Sequence, residues 1–152
     1  MSILYYTLNN SVFSNFAFYS TASVVKMMGL SALTTLKRMS KDVFANPEDL
    51  SLAKNKSAVV VLNDPDVERV RRNHLNDIEN IVPFVLVGLI YVGTNPDRDT
   101  ALWHFRIFFI SRVLHTLTYQ FALPQPSRFI ACLAGYLTTL SMATRVLLTV
   151  RP

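Results

Sequence analysis

The feature that most constrains this chain is an apolar run from Val12 to Leu36 that only one charged residue, Lys26, interrupts. A helix of this length crosses the roughly 30 Å hydrocarbon layer of a bilayer. The run follows a start without a basic segment, and no small-residue cleavage pattern leads into a polar mature sequence. It is therefore predicted to be an uncleaved first membrane span that also directs targeting.

The rest of the chain alternates polar connections with apolar segments of helical length. Prolines at 47 and 65 disfavour a continuous helix through the polar connection after the first span, and a helical pattern resumes at Val67, with Asp64 or Asp66 as its cap. The sequence thus predicts an all-α, integral membrane four-helix bundle forming a single domain over residues 1–152. Its spans are expected at about 12–36, 72–93, 101–123 and 129–148, with a cytosolic loop at about 37–67.

Charge distribution supports a membrane protein rather than a nucleic-acid-binding one. The net charge is +5, but 51% of the residues are hydrophobic and only 16% are charged. Eight of the fifteen basic residues fall between positions 37 and 72, and the others are scattered singly through apolar stretches. Because basic residues mark cytosolic loops, this places the first connection in the cytosol and both termini in the lumen. The sequon at Asn55 should then carry no glycan.

The spans contain or border an unusual number of ionisable groups. A charge at the bilayer centre costs on the order of 3 kcal/mol, so these groups must pair, face a wet cavity or reach an interface. In the second helix a polar stripe repeats every turn, and a second stripe does so in the third helix. The ionisable groups are Lys26, Glu79, Arg106, Arg112, His115 and Arg145, and the stripes are Arg72, Asn76, Glu79 and Arg112, His115, Tyr119.

Two interpretations of the stripes stay open on pattern alone. They could form an internal network that only fixes helix packing. Packed against each other, they could instead line a pocket for a small zwitterion, with arginines on its carboxylates and Glu79 on its ammonium group. A metal site is not expected, because His74, His104 and His115 are isolated from one another. Cys132 is alone, so no disulfide is expected.

Four segments in this order are more specific: FANPED (44–49), DPDVERVRRNHLNDIENIVPF (64–84), HFRIFFISRVLHTLTY (104–119) and LPQPSR (123–128). They resemble the family of membrane-associated proteins in eicosanoid and glutathione metabolism. The resemblance implies a homotrimer in the endoplasmic reticulum membrane, with the mitochondrial outer membrane as a second location, and glutathione bound between subunits near the cytosolic face. It implies the glutathione ligands Arg38, Arg71, Arg72, His74, Asn76, Glu79, His115 and Tyr119, with Arg128 as the catalytic residue that stabilises the thiolate.

Within that family the sequence favours the glutathione transferase branch, which acts on hydrophobic electrophiles and lipid hydroperoxides with glutathione as co-substrate and no metal. Leu75 and Phe129 stand where the prostaglandin E synthase branch has Arg and Ser, although Asp49 is shared with it. Leu50 replaces a cysteine that related transferases use for activation. A prostaglandin E synthase-like isomerase and a non-enzymatic membrane scaffold are the alternatives.

Overall fold

The fold is described from a computed structural model over residues 5–150. Within that range four long helices carry the architecture, and a short 3-10 helix at Pro47–Leu52 lies in the first connection. The chain ends, which the sequence places in the lumen, lie outside the described residues. The all-helical prediction is confirmed. The helices are α1 (Ser11–Lys41), α2 (Pro65–Gly93), α3 (Arg98–Gln120) and α4 (Ser127–Thr149).

Helix α1 begins where Asn10 accepts hydrogen bonds from the backbone N–H groups of Val12 and Phe13. It continues to Lys41, beyond the end of the predicted span at Leu36, because the intervening residues include no helix breaker. The helix ends at Asp42, which takes a left-handed conformation with φ 59°. Polar residues predicted to belong to the loop therefore form one further turn of helix.

Helix α2 has 29 residues and spans about 44 Å, which includes the polar turns that the sequence required of it. Asp64 caps the helix by accepting from the N–H groups of Asp66 and Val67, so of the two predicted caps Asp64 is the one used. Pro65 occupies the first helical position, where its missing N–H leaves no hydrogen bond unmade. The break predicted at this proline is thus also the start of the helix.

The four helices form an antiparallel bundle in which α1 and α3 run in one direction and α2 and α4 in the other. α1 packs against α2 and α3, and α4 packs against the same two helices from the other side. The end of α1, the start of α2, the end of α3 and the start of α4 consequently share one end of the bundle. We call it the 41–65 end, after the residues that bound the first connection.

Away from the 41–65 end, the core is a layer of aromatic rings. Phe84 of α2 and Phe108 of α3 stack with centroids 3.7 Å apart. Phe16 of α1 lies against Phe84 and Phe105, with centroid distances of 6.3 and 5.5 Å. Gly88 lies directly beneath the Phe16 ring, where any Cβ would collide with it. We call Phe16, Phe84, Phe105 and Phe108 the aromatic layer.

By length and composition, α1, α2 and α4 are each able to cross a membrane. Helix α3 has 23 residues, enough for about 35 Å, but Arg106 and Arg112 interrupt its apolar stretch. The most deeply placed of these charges, Arg112, is fully buried inside the bundle and does not face lipid. A fourth span therefore stays a prediction: Arg112 does not face lipid, whereas Arg106 is exposed on the same helix and contacts Tyr19 and Trp103.

Candidate functional site

The centre of the candidate site is Asp77 of α2, whose side chain is completely buried. Its Oδ2 accepts a hydrogen bond from Lys26 Nζ of α1 at 2.5 Å. Its Oδ1 accepts from Arg112 of α3, through Nη2 at 2.7 Å and Nε at 3.1 Å. One carboxylate thus links α2 to α1 and α3 and faces two cations. The group formed by Lys26, Asp77 and Arg112 therefore carries a net positive charge.

The sequence predicted that Lys26 pairs with a carboxylate or reaches an interface, but it did not identify Asp77 as the partner or as the centre of a network. A signal was present. Asp77 lies on the stripe of buried residues that runs along α2, where periodicity predicts apolar side chains. Asn73, one turn earlier, is also completely buried, and neither of its side-chain polar atoms has a hydrogen-bond partner among the described residues. Polar residues at such core positions signal a functional interior.

Arg112 links this centre to two of the predicted ligands. Its Nη2 donates to Asn76 Oδ1 at 2.8 Å and lies 3.2 Å from His115 Nδ1. Arg112 is completely buried and His115 is 3% exposed. The two predicted polar stripes therefore do meet, and Arg112 is the residue that joins them.

From His115 the polar contacts continue toward the 41–65 end of the bundle. The His115 ring lies against Tyr119, with centroids 5.6 Å apart. The guanidinium carbon of Arg128, at the start of α4, lies 4.7 Å above the Tyr119 ring, within cation–π range. We call this continuous series of contacts the polar column; its members are Lys26, Asp77, Arg112, Asn76, His115, Tyr119 and Arg128.

The remaining predicted ligands lie outside the polar column in the single chain. Arg71 is exposed and pairs with Glu68 of its own helix at 3.0 Å. Arg72 and Glu79 are exposed on α2, and His74 is half-buried there. Arg38 of α1 is half-buried, but its Nη1 is buried without a hydrogen-bond partner among the described residues. The structure thus joins four of the nine predicted site residues and leaves five on other faces.

Other ionisable groups have partners unrelated to the polar column. Arg106 donates to the Tyr19 hydroxyl at 3.2 Å and lies 5.7 Å above the Trp103 ring. The two ring nitrogens of His104 are hydrogen-bonded to the Thr100 carbonyl and to the Ser141 hydroxyl. Among residues 5–150, no group of three or more His, Cys, Asp or Glu side chains is arranged to hold a metal ion.

At the 41–65 end an exposed cluster of charges ties α1 to α2. Lys41 Nζ contacts Asp66 at 2.5 Å and Asp64 at 3.0 Å. These hydrogen bonds raise the pKa of Lys41. The Val67 N–H and then the Lys41 ammonium lower the pKa of Asp64, which stays ionised while it caps α2. This cluster holds together the helix ends that surround the outer part of the polar column.

A helical bundle has helices able to cross a membrane and a polar column that is buried at Asp77, Arg112 and His115. These features define the class: an integral membrane protein whose interior is built for a polar task. The model of the MAPEG family matches residues 16–148, and the chain belongs to this family.

The relatives make the resemblance more specific. The chain is 49% identical over 149 residues to microsomal glutathione S-transferase 1 of Rattus norvegicus, covering 97% of this chain and 96% of the relative. It is 47% identical to the Homo sapiens protein of that name over 142 residues, covering 92% of each. Similarity to prostaglandin E synthase of Bos taurus is lower, at 37% over 139 residues, with 91% of this chain and 90% of that one covered.

Proposed function

We propose that this chain is a membrane-bound glutathione transferase that conjugates the glutathione thiolate to hydrophobic electrophiles. The observation that carries the proposal is the identity of 47% to 50% with microsomal glutathione S-transferase 1 over more than nine-tenths of the chain. The polar column supports this proposal. It brings together four residues that the resemblance to the family implies for glutathione binding and catalysis: Asn76, His115, Tyr119 and Arg128.

Arg128 is the proposed catalytic residue. It is half-buried at the start of α4, and its guanidinium is held over the Tyr119 ring. A thiolate is the nucleophile and a thiol is not, and a guanidinium beside a bound thiol favours its ionised form. The proton leaves to solvent at the cytosolic face, the sulfur forms a bond to the electrophilic carbon, and the leaving group departs with its electron pair.

The same thiolate supports reduction of lipid hydroperoxides. One glutathione attacks the peroxide oxygen and the O–O bond breaks, which releases the lipid alcohol and leaves the sulfur oxidised. A second glutathione then gives glutathione disulfide and water. Both kinds of apolar co-substrate are concentrated in the bilayer, whereas glutathione enters from water. A site at one end of a membrane bundle suits that pair of substrates, and no step requires a metal.

We further propose a homotrimer in the endoplasmic reticulum membrane with lumenal termini, and the mitochondrial outer membrane as a second location. What supports the trimer is the exposure of Arg72 and Glu79 on α2 and the Nη1 of Arg38, which is buried without a hydrogen-bond partner within residues 5–150. Charged ligands left on the outside of one subunit are explained if glutathione binds between subunits. The mass of the purified assembly tests the trimer. A glycan on the exposed Asn55 would reverse the proposed topology.

The function is tested with protein purified in detergent, by conjugation of glutathione to 1-chloro-2,4-dinitrobenzene. We expect wild-type turnover and, in Arg128→Ala, a loss of roughly a hundredfold or more in kcat, as for removal of a single group that stabilises developing charge. Arg106→Ala is the matched control, because Arg106 lies outside the polar column and contacts Tyr19 and Trp103. Wild-type protein that binds no glutathione would end the transferase proposal, and undiminished Arg128→Ala would end only the role of that side chain.

The second candidate is a prostaglandin E synthase-like isomerase. The specific observations in its favour are the 37% identity to prostaglandin E synthase and the shared Asp49, which accepts a hydrogen bond from Asn46 beside the 3-10 helix. An assay with prostaglandin H2 separates the two. Faster turnover of prostaglandin H2 than of the aromatic electrophile would replace the transferase proposal. Glutathione binding without turnover of either substrate would favour the scaffold.

A further inference from the structure

We propose that Arg112 is a positioning residue that fixes the hydrogen-bond polarity of Asn76 and His115, so that both present donors to acceptor oxygens of the bound tripeptide. The inference rests on the proposed function, because it takes glutathione as the ligand. It deepens that function by assigning a role to Arg112, which contacts two of the predicted glutathione ligands but is not itself one of them.

The argument begins with what a guanidinium can do. Every polar hydrogen of arginine is a donor, the group has no acceptor, and it stays charged. Arg112 Nε donates to Asp77, so the two hydrogens of Nη2 are shared among Asp77, Asn76 and His115. Nη2 offers hydrogens and no lone pair, so an atom at hydrogen-bond distance from it is stabilised as an acceptor and destabilised as a donor.

For Asn76 this condition decides which way the amide points. The atom 2.8 Å from Arg112 Nη2 must be the carbonyl oxygen Oδ1, and the Nδ2 hydrogens then point away from Arg112. The backbone carbonyl of Asn76 is separately occupied by Asn80 Nδ2 at 2.7 Å. Asn76 is half-buried, and it lies four residues after Arg72 and three before Glu79, on the same stripe of α2. It offers that stripe a donor.

For His115 the same condition decides the tautomer. Nδ1 lies 3.2 Å from Arg112 Nη2 and must accept, which requires that Nδ1 carry no proton. The imidazole proton is then on Nε2, and the group that His115 presents on its other side is an N–H donor. A protonated ring is disfavoured as well, because it would place a second cation directly against Arg112.

Arg112 can impose this polarity because it cannot turn. Its side chain is completely buried and is held by Asp77 through two nitrogens. Asp77 is held in turn by Lys26. Glutathione offers two carboxylates and two peptide carbonyls as acceptors, so a pair of fixed donors matches several of its atoms. An ammonium group would instead be repelled by the same pair.

The first test is a measurement on wild-type protein without glutathione. We expect nitrogen NMR of histidine-labelled protein in detergent to show His115 with an unprotonated Nδ1 and a protonated Nε2. The His115→Gln variant assigns the signal by its loss. A wild-type Nδ1 that carries the proton overturns the inference, whatever the protein catalyses. Because this readout needs no turnover, it separates failure of the inference from failure of the proposed function.

The second test reverses the polarity of Asn76. Asn76→Asp keeps an oxygen for Arg112 but puts an acceptor where the donor was, whereas Asn76→Ala removes both. We expect Asn76→Ala to raise the KM for glutathione roughly tenfold, because one hydrogen bond to the ligand is lost. Asn76→Asp should raise the KM about tenfold more, and both variants should change kcat less than KM. If Asn76→Asp binds glutathione as well as Asn76→Ala or better, Asn76 only braces Arg112 and the inference is wrong.

Arg112 itself is tested by a substitution that keeps its charge. Arg112→Lys can still pair with Asp77, but a single ammonium lacks the fork that reaches Asn76 and His115 together. We expect mixed tautomers of His115 and a roughly tenfold higher KM for glutathione, whereas Arg106→Lys, on the same helix, changes neither. Arg112→Lys with a wild-type tautomer and a wild-type KM would overturn the role of the guanidinium.

Discussion

The aromatic layer and the polar column occupy neighbouring levels of one bundle and are built in opposite ways. Phe108 lies one helical turn from Arg112 on α3, a separation of about 6 Å. On one side of that turn, stacked rings fill the space between α1, α2 and α3. On the other, Asp77 joins the same three helices through Lys26 and Arg112. Aromatic packing therefore holds these three helices together at one level, and ion pairs hold them together at the next.

The difference shows which level serves packing and which serves function. Rings that interdigitate are stable without any partner outside the bundle. A buried carboxylate facing two cations loses hydration that its ion pairs only partly replace, and apolar residues of similar volume often hold a fold as well or better. A bundle needed only for its shape could have continued the aromatic layer, so the charges point to a chemical task.

The largest loss of stability is expected for Arg112→Ala. It leaves Asp77 buried with only Lys26 and opens a cavity next to the aromatic layer. Asp77 keeps Lys26 as a partner, so the loss comes from the cavity and from the hydrogen bonds that Asp77 and Asn76 no longer accept, and truncation of a large buried side chain costs about 2–5 kcal/mol. Thermal unfolding of the detergent-solubilised protein measures the change. Arg106→Ala, the exposed arginine of the same helix, serves as control, and an equal effect of both variants would contradict the contrast.

A smaller loss is expected in the aromatic layer from Gly88→Ala. The added Cβ would collide with the Phe16 ring, which must shift among Phe84 and Phe105. Overpacking of this kind costs typically about 1–3 kcal/mol. Gly29→Ala is the matched control, because a Cβ at Gly29 would meet no atom of the described part of the chain within 4 Å. Equal unfolding temperatures for the two variants would show that the aromatic layer is not tightly packed.

A charge outside the buried core should contribute less to stability than a fully buried charge. Asp64→Ala tests this expectation at the 41–65 end. The variant removes the α2 cap and a partner of Lys41, so we expect a modest drop in unfolding temperature at pH 7. Because the pKa of Asp64 is lowered by folding, its contribution is present above the unfolded pKa of about 3.9 and is lost as the pH falls through the folded value. The difference between the variant and the wild type should shrink in acid; a constant difference would exclude the ionised cap.

The smallest change in stability is expected when the buried charges are replaced together. Lys26→Met, Asp77→Leu and Arg112→Met in one chain remove the whole ionic group and leave no charge unpaired. Such replacements are often neutral or stabilising. Stability close to wild type together with loss of glutathione turnover would confirm that this level serves function. Strong destabilisation would instead show that the ionic group is needed for packing.

Much of the fold could be predicted, because helix length and polarity are local properties. The apolar runs at 12–36 and 129–148 lie within α1 and α4, and the predicted span at 72–93 lies within α2. The helical structure of residues 37–41 was missed, since nothing local separates a polar helical turn from a polar loop. Spacing also could not predict the hydrogen bonds within the first connection, where Asp42 accepts from the N–H groups of Lys54 and Asn55.

The candidate site was predicted unevenly for a physical reason. Helical spacing places Arg112, His115 and Tyr119 on one stripe, and the contacts confirm that stripe. Spacing gives no distance between helices, so it could not choose Asp77 as the partner of Lys26. Nor could it show that Arg72 and Glu79 would face outward while Asn76, on the same stripe, turns toward Arg112.

The sequence by itself determined that this is a helical membrane protein with charges that require partners, because hydropathy and helical periodicity are written in consecutive residues. The tertiary structure alone decided which charges meet. Asp77 binds Lys26 and Arg112 only because three helices bring residues from distant parts of the chain within hydrogen-bond distance. Which atoms of Asn76 and His115 accept hydrogen bonds also depends on the tertiary structure, because it depends on where the Arg112 guanidinium lies.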